Sequence, residues 1–203
     1  MPFEASGTAM VNSQGILTDR LRSAAVDKRL LVLDYDGTLA YLAIDWQAVR
    51  RDLSRSAALL GFRSQFRPLW DEISRFRDEY GLSEVHQLFR VLARHEEIGV
   101  DGQQPRTAVV DAVRALLRHV PLDAAVFSSN LHRTVGTGLS KLRLESISAI
   151  VGADDVPHWK PEPHGLQELL TRARVGPDAA LFVGDSENDA TAAAALGVDF
   201  VRV

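Results

Sequence analysis

Apolar residues in this chain gather into short runs that stop abruptly at polar clusters. Leu30-Leu31-Val32-Leu33 ends in Asp34-Tyr35-Asp36-Gly37-Thr38, residues 124–127 end in Ser128-Ser129-Asn130, and residues 180–183 end in Gly184-Asp185-Ser186-Glu187-Asn188-Asp189. Residues 147–151 and 198–203 read as further short strands. Between the runs the period changes. Ala108, Val109, Ala112, Val113, Leu116 and Leu117 recur at helical spacing within 105–119, and helices are expected at 165–174 and 190–196. Strands and helices alternating at these lengths predict parallel βαβ units, an α/β Rossmann-like sheet covered on both faces. A ligand site in such a sheet lies outside the carboxyl ends of the strands, where the polar clusters accumulate.

Residues 45–101 break the alternation. Phe62, Phe66, Trp70, Ile73 and Phe76 recur at helical intervals, as do Val85, Leu88, Phe89 and Leu92, so a small all-helical cap is expected there. The α/β core then comprises residues 1–44 and 102–203. Residues 1–15 are polar and rich in small side chains and are expected to form a loose tail, with a short helix over 16–26. The arginines of 45–101, Arg50, Arg51, Arg55, Arg63, Arg67, Arg75, Arg77, Arg90 and Arg94 among them, are interleaved with about as many acids, which predicts a solvated, ion-paired face for most of them and leaves one or two to reach an anionic substrate.

Asp34 and Asp36 stand two apart at the exit of a strand, so in an extended segment they leave on the same side while Tyr35 points elsewhere. Two acids held together repel unless a proton or cation intervenes. A hard divalent cation with oxygen ligands, magnesium foremost, relieves that repulsion and draws in phosphate. Gly37 lets the backbone turn and approach a ligand. A solvated Asx-turn closing a strand is the plainer account of the same residues. Ser186 and Asp189 have the spacing of a capping box for the last helix. Asn130 suits a turn residue and a substrate contact equally.

Four ordered segments resemble the motifs of the haloacid dehalogenase-like (HAD) superfamily: Asp34-Tyr35-Asp36-Gly37-Thr38, Phe127-Ser128 with Ser129 as a neighbouring candidate, Lys160-Pro161-Glu162-Pro163, and Gly184 through Ala193. The resemblance implies a phosphatase in which Asp34 is the nucleophile and forms an aspartyl phosphate, and Asp36 is general acid and base. It implies magnesium held by Asp34, the backbone carbonyl of Asp36 and Asp185, with Asp189 behind them, and phosphate bound by Ser128, Ser129, Asn130 and Lys160. Gly37, Thr38, Gly184 and Ser186 would support these groups. Dehalogenases and phosphonatases of the family generally lack an acid at the place of Asp36, so its presence implies phosphoryl transfer. Tyr41 stands near a place where the phosphoglycolate phosphatase branch often has an acid. The helical insertion resembles the family's cap, which closes over the site.

Composition narrows the rest. The chain has 203 residues, 46% hydrophobic, and a formal charge of −4, enough for one core and a smaller helical unit and unlike a nucleic-acid binder. The absence of cysteine excludes thiolate chemistry and disulfides. Lysine occurs only at 28, 141 and 160, so Lys160 departs from the chain's preference for arginine. His132, His158 and His164 follow no metal-ligand spacing. No signal peptide or membrane span is expected, which gives a cytoplasmic enzyme acting on a small phosphorylated metabolite. Other readings are a phosphomutase or phosphotransferase, a HAD-type binding or assembly protein, and a receiver-like phospho-switch, although in a receiver the lysine follows the last acidic element and here Asp185 follows Lys160.

Overall fold

Leu30 to Leu33 are all buried because the strand they form is the middle of the sheet. The computed structural model describes residues 5–147 and 149–203. In chain order its strands are β1 (Leu30–Leu33), β2 (Ala40–Tyr41), β3 (Gln104–Pro105), β4 (Asp123–Phe127), β5 (Ala149–Val151), β6 (Ala180–Gly184) and β7 (Asp199–Arg202). Five of them make one all-parallel sheet in the order β5-β4-β1-β6-β7. A strand covered on both faces has to be apolar throughout, which is why the runs ending at Leu33 and Val183 show no alternation.

Strand parity sorts these side chains between two cores. Leu31, Leu33 and Tyr35 pack with Val126, Leu181 and Val183 on one face. Leu30 and Val32 pack with Ala125, Phe127, Ala180 and Phe182 on the other. The first face is closed by helices α1 (Ala5–Ala24), α5 (Thr107–His119) and α6 (His132–Lys141), and the second by α7 (His164–Ala173) and α8 (Glu187–Leu196). The expected loose tail is corrected: helix α1 begins at Ala5 and runs through Gly15, while residues 1–4 lie outside the described residues. Buried Leu21 and Ala25 fix the C-terminal end of this segment against the core, so the costly helical nucleus already exists and upstream residues add to it.

Helices α2 (Trp46–Ala58), α3 (Leu69–Tyr80) and α4 (Leu82–Asp101) occupy the stretch between β2 and β3. Asp45 caps α2 by accepting from the backbone N–H groups of Gln47 and Ala48 at 2.9 and 3.0 Å. The apolar faces of the three helices meet in a cluster of their own, with Phe62 edge-on to Phe76 at 5.3 Å between centroids. Leu131, Ala153 and Trp159 join that cluster from the other side, so it is also where the helical layer rests on the rest of the chain. The segments leading into and out of this layer pair with each other: β2 and β3 are antiparallel, Ala40 opposite Pro105 and Tyr41 opposite Gln104. No helix among the described residues is long and apolar enough to cross a membrane.

Candidate active site

Register delivers the site. Leu33 pairs with Val126 on one side and Val183 on the other, so Asp34 emerges level with Phe127 and Gly184, one step before Ser128 and Asp185. The backbone N–H of Asp34 still donates to the Val183 carbonyl at 2.9 Å, which fixes the acid to the sheet edge. Beyond it the chain must turn at once. Gly37 has φ +86°, and a Cβ there would lie 2.5 Å from Asp185 Oδ2, so this position requires glycine for both its dihedral and its clearance. Gly184 is needed for closeness alone, since a Cβ on it would meet the Asp189 side chain at 2.7 Å.

At the centre Lys160 Nζ lies 2.6 Å from Asp34 Oδ1 and 2.6 Å from Asp189 Oδ1, all three side chains being almost wholly buried. The other oxygen of Asp34 is 3.0 Å from the Thr38 hydroxyl, which also stands 3.2 Å from Asp185 Oδ1. Asp189 Oδ2 accepts from the Ser186 backbone at 3.0 Å and from its hydroxyl at 2.6 Å, while Asp189 N–H donates back to Ser186 Oγ at 3.2 Å. The capping box of α8 is therefore present, and the same acid that closes it also holds Lys160. Asp36 Oδ1 accepts from the Leu42 N–H at 2.8 Å. The Ser128 hydroxyl donates to Asn130 Oδ1, and its oxygen accepts from the Asn130 backbone N–H, both at 3.1 Å.

Burial sets the electrostatics. It pushes the Asp34 carboxyl up to about 6, with Lys160 pulling it down and Asp189 adding to the rise. Burial lowers the affinity of Lys160 for its proton, but the two carboxylates beside it more than offset this and hold the ammonium charged above its ordinary range. Asp36 is raised chiefly by burial, against the Leu42 N–H, and Asp185 is the acidic neighbour that adds to it. Asp34, Asp185 and Asp189 each offer one oxygen, and the three lie within 4.8 Å of one another. That donor set of hard oxygens suits magnesium. Of the three, Asp189 already has both oxygens engaged, whereas among the described residues Asp185 is bonded only through Thr38.

Asp34, Asp36, Ser128, Ser129, Asn130, Lys160, Asp185, Ser186 and Asp189 line one cleft of about 210 Å³. Thr38 is buried and outside that lining, bonded to Asp34 and Asp185, and Gly37 and Gly184 let Asp185 and Asp189 come close. A family model described as haloacid dehalogenase-like hydrolase matches residues 68–203, about two thirds of the sequence. The chain belongs to the haloacid dehalogenase-like hydrolases.

The HAD match begins after the first motif, so the place of Asp34 and Asp36 in the site rests on the geometry above. Phosphoglycolate phosphatase 1 of Pseudomonas aeruginosa is 37% identical over 91 residues, 44% of this chain and 33% of that protein, so the match spans about a third of the relative's length. The phosphoglycolate phosphatase of Cereibacter sphaeroides is 29% identical over 183 residues, 84% of this chain and 82% of its own. These relatives carry the name of the branch from which Tyr41 departs. Tyr41 is exposed and lies outside the cleft, with the Arg106 guanidinium 5.5 Å from its ring centre. Among solved structures, a predicted phosphoglycolate phosphatase from Haemophilus somnus superposes with a TM-score of 0.61 at 20% identity, covering 87% of this chain and 85% of that one.

Four residues at or behind the HAD site were not singled out as site residues by sequence reasoning, Asn188 beside Asp189 in the lining being one. Trp46 on α2 and Trp70 on α3 line the cleft from the helical layer. Glu96 on α4 is buried, accepting from Asn130 Nδ2 at 3.2 Å and from the Leu131 N–H at 3.0 Å. Its burial, against bonds from Thr134, Leu131 and Asn130 and with Asp154 adding to the rise, pushes its carboxyl up to about 7. A signal existed: Leu88, Leu92 and Glu96 are spaced by four, which puts an acid on the apolar stripe of its helix.

Proposed function

We propose that this HAD hydrolase is a phosphatase that cleaves a small phosphate monoester through an aspartyl phosphate on Asp34, with magnesium as its metal. The observation that supports this best is a buried Asp34 fixed on one oxygen by Lys160 and on the other by Thr38, beside Asp36 and Asp185 in the same cleft. In the first step an Asp34 oxygen bonds to phosphorus as the ester P–O bond breaks, and Asp36 gives its proton to the departing oxygen. In the second, Asp36 takes a proton from water, the water oxygen bonds to phosphorus, and the Asp34–phosphorus linkage breaks to release phosphate.

The raised affinity of Asp36 for a proton suits the first role, because the acid must still hold one when the leaving group needs it. Lys160 and the Ser128 hydroxyl neutralise and bind the phosphoryl oxygens, whose charge is spread over all three in the transition state. Asp34, the Asp36 carbonyl and Asp185 would hold magnesium, with Asp189 fixing Lys160 behind them. Magnesium supplies positive charge that draws the phosphoryl oxygens in and offsets the repulsion among the acids. Trp46 and Trp70 come from the helical layer, so residues 45–101 act as the cap, excluding water and contacting the leaving group. The HAD match sets aside the receiver-like reading.

The test is phosphate release by the purified chain, with magnesium, from a panel of phosphate monoesters that includes the relatives' phosphoglycolate. Release from at least one member is expected. A folded protein that releases phosphate from none of them overturns the phosphatase reading in favour of a binding or assembly role.

A further inference from the structure

A second concavity lies on the helical layer and shares no residue with the catalytic cleft. It has a volume of about 440 Å³, and its lining includes Arg50, Arg51, Arg55, Arg67, Gln47 and Gln65 but no acid. Four guanidinium groups around one hollow are unexpected in a chain of net charge −4. Interleaved acids were expected to neutralise them, and elsewhere in the layer they do: Arg75 meets Glu72 at 2.7 Å and Arg77 meets Asp78 at 2.8 Å. Here only Arg55 has such a partner, Asp52 at 3.4 Å, and Asp52 also bonds His95. Arg50 and Arg67 make no ion pair among the described residues. Arg51 makes none within 4 Å, but it stands near Asp45, the cap of α2, whose carboxyl is held below its ordinary range by the Ala48 N–H first and also by the Arg51 charge.

The hollow is held in shape. Ser54 on α2 donates to the Ser64 carbonyl at 2.7 Å, and Ser64 Oγ donates to Glu72 at 2.6 Å and accepts from the Phe66 N–H at 2.8 Å. Phe66 is fully buried at φ +51°, a conformation that its packing must enforce, and it fixes Gln65 and Arg67 on either side of it across from α2. Arg50 donates to the Trp46 carbonyl at 3.2 Å, yet its Nε is buried with no partner. A buried donor without an acceptor and like charges in excess of their counter-charges both cost free energy, and an anion in the hollow offsets the second while bringing acceptors to the guanidinium groups.

We propose that this groove is a binding site for a small molecule bearing two or more phosphate groups. Guanidinium forks match phosphate oxygens two at a time, and a hollow of about 440 Å³ with four guanidinium groups in its lining has room for more than one phosphate group. Gln47 and Gln65 add neutral donors and acceptors at the rim for the uncharged part of such a ligand. The ligand is distinct from the substrate, because the two linings are separate. Arg50 is one helical turn from Trp46, so the anion binds close to the segment that supplies a wall of the cleft.

The probe is inorganic tripolyphosphate, titrated calorimetrically into the full chain in magnesium-free buffer at physiological ionic strength, where loose surface attraction is screened. One saturable site per chain is expected, weakened by about tenfold or more in Arg51→Ala/Arg67→Ala and unchanged in Arg118→Ala and in Asp34→Asn. Arg51→Lys/Arg67→Lys keeps the charge and removes the forks; it binds with intermediate affinity, and it becomes the deciding variant if the alanine pair fails to give a cooperative melt. Absence of saturable binding to the wild-type chain overturns the proposal, as does wild-type affinity in the lysine or alanine pair. A single-stranded RNA of equal charge that displaces tripolyphosphate at lower concentration overturns it too, by making the groove a nucleic-acid site.

Discussion

Glu96→Gln tests whether the acid behind the Ser128–Asn130 loop keeps its proton in the folded state. Burial raises this carboxyl from its ordinary 4.5 to about 7, so between those limits the folded chain holds a proton that the unfolded chain has released. Stability from this group is therefore fully present below the unfolded value and is lost as pH rises through the folded one. A rise of about 2.5 units at ~1.4 kcal/mol each is worth roughly 3 kcal/mol, of which about 2.5 kcal/mol falls between about pH 5 and pH 8. Glutamine cannot ionise, so the variant lacks that decline. It keeps one acceptor for the Leu131 N–H but turns a donor toward Asn130 Nδ2, an offset of about 1–2 kcal/mol that does not change with pH. Urea denaturation of both proteins across this range is the assay, and their difference isolates Glu96 from Asp34, which also binds its proton more tightly when folded. The variant should gain on the wild type by roughly 2–3 kcal/mol from about pH 5 to pH 8. Parallel curves would refute the reasoning, since the carboxylate would then ionise normally despite its burial.

The acids of the cleft give two further predictions. Asp34→Asn should abolish turnover, whereas Asp36→Asn should slow both phosphoryl steps and let phosphate accumulate on Asp34 when the leaving group is good; mass spectrometry that finds the phosphate on any other residue overturns the assignment. Asp185→Ala should remove metal-dependent activity, while Asp189→Ala should weaken magnesium binding by roughly tenfold to a hundredfold, as expected of a group that orients its neighbours. Magnesium titrations settle the order, with melting curves alongside because Asp189 also caps α8 and pairs with Lys160.

The strands that build the site were legible because they are central and covered on both faces, so each had to be apolar to its last residue and polar immediately after. The same abruptness located Asp34, Ser128 and Asp185 and placed them at one edge. Helix α6 was not foreseen: no side chain caps its start, and Gly136 and Gly138 lower its intrinsic preference. Gly138 is there for the neighbour, since a Cβ would strike the Tyr35 hydroxyl. Two-residue strands such as β2 and β3 carry no period to detect. Burial, which the motif does not display, is the main cause of the raised proton affinity of Asp36, and the acidic neighbour that adds to it is Asp185 across the turn. Arginine and acid alternate along 45–101 in sequence, but only folding shows which pairs meet and that, among the described residues, Arg50 and Arg67 make no ion pair.

The small ladder joining Ala40 to Pro105 and Tyr41 to Gln104 has a consequence for how such a chain can be altered. Its partners stand about 5 Å apart, as paired strand residues do, so everything between them departs from and returns to a single spot on the sheet's edge. To the parallel sheet, the entire helical layer is an oversized hairpin loop, and closure entropy rises only slowly with loop length. Exchange of that layer for a shorter turn or for an unrelated unit with closely spaced ends leaves every parallel strand pairing untouched. The choice of what reaches the strand ends can thereby change while the sheet stays as it is, provided the replacement supplies what Glu96 gives to Asn130 and Leu131.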